Sequence, residues 1–132
     1  MKTIPELKEE RESKNSELFK KVGLFFAFSN EQFDKNKTPL KEGEKYVSIG
    51  YGGYLPKSNA EEFSRGMKEI DTWYKGEIKK NKSEEKEIIY ELYNHECFYT
   101  NDITDVVSMF DGTYTESQIL KAFYKEAKKA KV

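Results

Sequence analysis

The residues best equipped for covalent chemistry are the only histidine and the only cysteine, His95 and Cys97, two positions apart. Nucleophilic catalysis by such a pair needs thiol and imidazole within hydrogen-bond reach. On a helix, positions two apart do not face each other. A small enzyme working at His95 and Cys97 therefore needs a distorted helix end. The plainer reading is a helix-end histidine beside a buried thiol. The string Asn94-His95-Glu96-Cys97 also offers metal ligands, but too few at the spacing zinc requires. Asp102 reads as a helix cap and Asp111 as a turn residue, which leaves Asp105 without partners for a hard cation. The sequence calls for no metal and no cofactor.

A second candidate is the glycine-tyrosine segment Tyr46–Pro56. Gly50-Tyr51-Gly52-Gly53 follows a strand-like run and invites a phosphate-loop reading. It lacks the Walker spacing with its closing Lys-Ser/Thr, and no dinucleotide-binding glycine pattern fits. Lys57-Ser58 lies just ahead of a helix N-terminus, a place that attracts anions. Recognition is the stronger functional reading. Tyr46, Tyr51 and Tyr54, with Gly52, Gly53 and Lys57, would present rings on glycine backbone to a partner, as interfaces do. The competing reading is that these tyrosines build a small core.

A third candidate is the basic stretch Lys75, Lys79, Lys80 and Lys82. A nucleic-acid patch would use these lysines for phosphate and the tyrosines for base stacking. Glu77, Glu84 and Glu85 interrupt it, as on an ordinary solvated helix face. The last two predicted helices look like a helix-turn-helix. Their connection, Asp111–Thr115, is longer than that motif uses, and Glu116 would face phosphate, so ordinary packing is favoured.

The elements that must position these residues follow from periodicity and caps. Pro5–Lys21 reads as a helix with sparse apolar positions (Leu7, Leu18, Val22), hence mostly exposed, ending at Gly23. Leu24–Phe28 is apolar throughout, and periodicity does not separate strand from helix there. Ser29-Asn30-Glu31-Gln32 is a capping box opening a short helix to Asp34. Tyr46–Tyr51 is the best strand, turning through three glycines into Tyr54-Leu55-Pro56. Ser58-Asn59-Ala60-Glu61 opens the most periodic helix, with Phe63, Met67, Ile70, Trp73, Tyr74 and Ile78 on one face. Asn81-Lys82-Ser83 breaks it. One long helix over residues 59–97 and a helical hairpin both fit, the hairpin burying both stripes better. Asp102 caps a short helix, and Thr115-Glu116-Ser117-Gln118 opens the last, with Ile119, Leu120, Phe123, Tyr124 and Ala127 inward.

Composition bounds the function. The chain has 132 residues with 23 basic and 24 acidic side chains, a formal net charge of −1. A dedicated DNA binder carries a basic excess and a nucleic-acid mimic an acidic one; neither is present. Nine Tyr, nine Phe and one Trp are too many aromatics for a disordered chain. One cysteine allows no internal disulfide, and the N-terminal residues are not a signal peptide. A bacterial cytoplasm is the expected setting. The longest apolar run, five residues, is far short of the ~20 a membrane helix needs.

Three strings, Leu24-Phe25-Phe26-Ala27-Phe28-Ser29-Asn30-Glu31-Gln32-Phe33, Val47-Ser48-Ile49-Gly50-Tyr51-Gly52-Gly53-Tyr54-Leu55-Pro56 and Tyr93-Asn94-His95-Glu96-Cys97-Phe98-Tyr99, together resemble a family of small proteins carried by phages and mobile elements. The resemblance spans about Val22 to Phe123. It implies action on host defence, with inhibition of an RNA-targeting type VI CRISPR nuclease as the specific form, and it carries over no catalytic residues.

The resulting expectation is a helix-rich α+β fold, about five helices packed on a small antiparallel sheet or hairpin. It is a single domain over 1–132, with an exposed N-terminal helix over 1–22 and a frayed basic tail over 125–132. The expected function is non-enzymatic: binding and modulating a larger protein, with an RNA- or single-strand-DNA-binding regulator as the alternative.

Overall fold

The computed structural model describes residues 2–130. In chain order the elements are α1 (Ile4–Val22), β1 (Phe25–Phe26), α2 (Asn30–Asn36), β2 (Tyr46–Gly50), β3 (Gly53–Pro56), a 3-10 turn (Lys57–Asn59), α3 (Ala60–Lys80), α4 (Glu84–Asn94), α5 (Cys97–Thr100), α6 (Thr104–Met109) and α7 (Glu116–Ala130). The fold is α+β and helix-rich, with seven α-helices and one small antiparallel sheet among the described residues. No helix among them is long and apolar enough to cross a membrane. The chain divides into two compact units. One is Pro5–Lys75; the other runs from Gly76 to the C-terminal end and takes in the residues ahead of Pro5.

In the first unit, the three strands lie in the order β1-β3-β2, all antiparallel. The ambiguous run Leu24–Phe28 therefore contributes a strand, with Phe25 opposite Tyr54 and Phe26 opposite Gly53. Ser29 caps α2 as its spacing predicts. Its Oγ accepts from the Gln32 N–H at 3.1 Å, and the Gln32 side chain accepts in return from the Phe28 N–H at 2.8 Å. Gly23, at φ +74, closes α1 in a Schellman arrangement: the Leu24 N–H donates to the Phe19 carbonyl and the Gly23 N–H to that of Lys20.

The expected solvent-facing α1 is instead laid antiparallel along α3. Phe19 meets Phe63 with ring centroids 6.2 Å apart, Leu18 crosses Gly66, and Lys21 pairs with Glu62 at 3.1 Å. Further along, Lys14 sits 4.7 Å from the Trp73 ring centroid and Arg11 4.1 Å from that of Tyr74. The polar middle of α1 thus covers aromatic faces with cations and their aliphatic stems, a contact worth about 0.5–1 kcal/mol at an exposed site. Polarity along that stretch hid its packing role.

In the second unit, α4 packs on α5, α6 and α7. Ile88, Leu92, Cys97, Val106, Phe110, Ile119, Ala122 and Phe123 form one buried cluster. The α4 stripe is thus covered by α6 and α7. The break between α3 and α4 is itself a Schellman end. Lys82 takes the left-handed position at φ +52, the Ser83 N–H donates to the Ile78 carbonyl and the Lys82 N–H to that of Lys79. Ser83 contributes no side-chain cap to α4. Thr115 and Gln118 form a reciprocal capping box, at 3.1 and 2.8 Å. The helix they open continues to Ala130, and Lys125 bonds Glu85 at 2.9 Å. Residues 131 and 132 of the expected frayed tail lie outside the described residues.

Candidate functional site

The glycine-tyrosine segment is a β-hairpin. β2 and β3 are joined by Tyr51 and Gly52, both with positive φ (53° and 77°), the geometry of a type I′ two-residue turn. That turn follows the right-handed twist of the strands, but it favours asparagine or glycine at both positions. A tyrosine held there carries left-handed strain of about 1 kcal/mol. Ile49 is an extra residue in β2, because Ser48 pairs with Tyr54 while Gly50 pairs with Gly53.

The two sides of this sheet serve different ends. On one side, Phe25, Tyr46 and Tyr54 pack on one another and on Phe33 of α2, with centroids 5.2–5.8 Å apart, mostly edge to face. The Tyr46 hydroxyl donates to the Thr38 carbonyl. Tyr46 and Tyr54, expected to meet a partner, are half-buried packing residues instead. On the other side, at the turn end, Phe26 and Ile49 lie over Gly53; a Cβ there would stand 2.8 Å from Ile49 and 3.2 Å from Phe26. The Phe28 ring covers Gly52 so closely that a Cβ there would meet it at 2.5 Å. Gly52 and Gly53 thus support the surface from beneath, and Gly53 is buried. Phe26 and Ile49 are exposed, Phe28 is 76% exposed and Tyr51 is 96% exposed. The result is an apolar surface of four side chains at the hairpin end, of which sequence reasoning had named only Tyr51. Phe26 and Phe28 were concealed inside a five-residue apolar run. Their signal is alternation: Phe25 and Ala27 are buried, Phe26 and Phe28 are not.

The anion-attracting position at Lys57-Ser58 is filled from within the chain. Glu44 accepts from the Ser58 hydroxyl, from the Ser58 N–H at 3.3 Å and, through its other oxygen, from the Lys41 N–H at 3.1 Å. The Ser58 hydroxyl, then the Lys41 amide, hold the Glu44 carboxyl below the usual carboxylate range. Ser58 consequently does not close the predicted capping box. Asn59 uses its Nδ2 on the Val22 carbonyl at 2.9 Å. Lys57 itself is exposed.

The remaining candidates are dispersed. Cys97 is wholly buried, and burial, then Asp102 and Asp105, push its thiol up, away from the reactive thiolate. His95 faces Glu91 at 3.4 Å. Asp102, expected to cap a helix, instead accepts from the Thr104 hydroxyl and N–H in an Asx turn just ahead of α6, whose N-cap position is Ile103, and these bonds lower its carboxyl. Among the described residues, no group of three His, Cys, Asp or Glu side chains stands close enough to hold a metal ion. Lys75 is paired to Asp71 at 3.1 Å. Lys79 and Lys80 sit in the last turn of α3, where cations complement the helix end. Lys82 forms the turn beyond it.

The thiol is packed away, the helix end is filled from within the chain, and the exposed rings of this segment gather at the hairpin end. Residues 7–130 match the model of a family of unknown function, DUF7659. The chain belongs to that family. No curated protein and no solved structure matches it. The family supplies no activity to transfer.

Proposed function

We propose that this member of the family is a non-enzymatic protein that binds and modulates a larger protein through the hairpin end. The observation that carries the reading is Tyr51: a large, amphipathic ring, almost wholly exposed, kept on a strained turn that a smaller residue would fill more favourably. Phe26, Phe28 and Ile49 extend it into a patch of the kind that marks an interaction surface. Tyrosines in such patches often act as binding hot spots.

The test is capture from bacterial lysates with the full chain beside its Tyr51→Ser and Phe28→Ser variants. One dominant protein should be retained by the parent and lost from both variants. Recovery of RNA alone, of nothing across several hosts, or of the same protein by all three chains would overturn the reading. The narrower form, inhibition of an RNA-targeting CRISPR nuclease, rests on the resemblance of the three strings. Failure of a tenfold excess to slow guided RNA cleavage would reject that form and leave the broader one to the capture experiment.

A further inference from the structure

The second unit carries a groove of about 370 Å3 at the end of α4, lined by Tyr93, Glu96, Phe98 and Tyr99. Among the described residues, three aromatic rings and one carboxylate line it. Phe98 is fixed by stacking on Phe123, centroids 5.0 Å apart and planes 4° from parallel. Tyr93 is inclined to Phe98 at 42°, with centroids 4.6 Å apart, and Tyr99 is 91% exposed. The backbone beneath is tightly determined. Glu96 and Asn101, both non-glycine residues in the left-handed region (φ 56° and 58°), bracket α5, and the buried Cys97 anchors it. Left-handed residues of this kind persist where the surrounding structure over-determines them, and they gather at binding sites.

Its described lining carries one formal charge. The exposed rings of Tyr93 and Tyr99 offer negative faces, Phe98 packs behind them, and the Glu96 carboxylate makes no hydrogen bond or ion pair with a described residue. His95, its neighbour in sequence, is turned to Glu91. An uncharged apolar occupant would leave that carboxylate without a counter-charge. A bare ammonium would surrender strong hydration to enter. An alkylated ammonium spreads its charge over methyl groups that suit the rings, the arrangement by which aromatic sites recognise quaternary amines. The volume lies within the range of small-molecule sites. We propose that the groove formed by Tyr93, Glu96, Phe98 and Tyr99 binds a small quaternary-ammonium compound, the rings attracting the cation and Glu96 supplying the counter-charge.

The site is independent of the hairpin surface. Its test is an amide NMR titration of the full chain with choline and, in parallel, with the neutral alcohol in which carbon replaces the ammonium nitrogen. Choline should give saturable shifts at Tyr93, Phe98 and Tyr99, and the neutral isostere should bind at least about fivefold more weakly. Tyr99→Leu and Glu96→Gln, both at exposed positions, should each weaken choline about three- to fivefold and leave the Ile88 and Leu92 amides in place. Equal binding of the isostere, no saturable shift with choline, or undiminished binding in both variants would overturn the assignment.

Discussion

Tyr51 combines two properties that an ordinary turn residue keeps apart: left-handed backbone and a large ring exposed to water. Asparagine fits the same backbone with less strain. Tyr51→Asn should therefore raise stability by about 0.5–1 kcal/mol, read from the denaturant midpoint at constant slope, while abolishing partner capture. A loss of stability would show that the ring packs on the hairpin. Gly52 gives the complementary case. Gly52→Ala adds a Cβ against Phe28 at a positive φ, and it should cost about 1–2 kcal/mol and weaken capture by displacing that ring. Cys97 stands at the opposite extreme. With the thiol buried and pushed up, alkylation of the folded chain should proceed far more slowly than in denaturant. Rapid modification under native conditions would contradict the burial. The identities of these residues are legible in the sequence. Their exposure is not, because Tyr46, Tyr51 and Tyr54 look alike until the sheet turns two of them onto Phe33.

Among the elements, the capping chemistry decides what local sequence can and cannot announce. Ser29 and Thr115 cap as their spacing predicts. Ser58 has equally good spacing, yet its hydroxyl goes to Glu44, fourteen residues earlier in the chain. Local pattern does not reveal a competitor that distant. The Glu44 carboxyl is held below its ordinary value of 4.5, so its contribution is fully present above that value and is lost as pH falls through the lower folded one. Stability of the parent chain should decline on acidification from about pH 5. Glu44→Gln should flatten that decline, as followed by urea unfolding at stepped pH; an unchanged slope would remove Glu44 from the account. At the end of α3, Lys82 occupies a left-handed position that glycine usually takes. Lys82→Gly should stabilise by about 0.5–1 kcal/mol, and a destabilised variant would mean that the lysine side chain is engaged.

For the molecule as a whole, near-cancelling charge predicts a definite behaviour. A chain with net charge −1 should leave single-stranded RNA unshifted even at low salt, since non-specific binding depends on phosphate neutralisation. A shift that falls steeply with salt would favour the lysine reading instead. The sequence by itself determined the α+β class, the caps at Ser29 and Thr115, the strand expected over Tyr46–Tyr51 up to Gly50 and the glycine turn, because propensity, capping and turn chemistry act over a few residues. Tertiary structure decided the rest. It set α1 against α3, where cations over Trp73 and Tyr74 made a polar stretch into a packing surface. It buried the α4 stripe under α6 and α7. It also assigned each ring of the glycine-tyrosine segment to core or surface, because an aromatic side chain is favourable in both places and only its neighbours across the sheet choose between them.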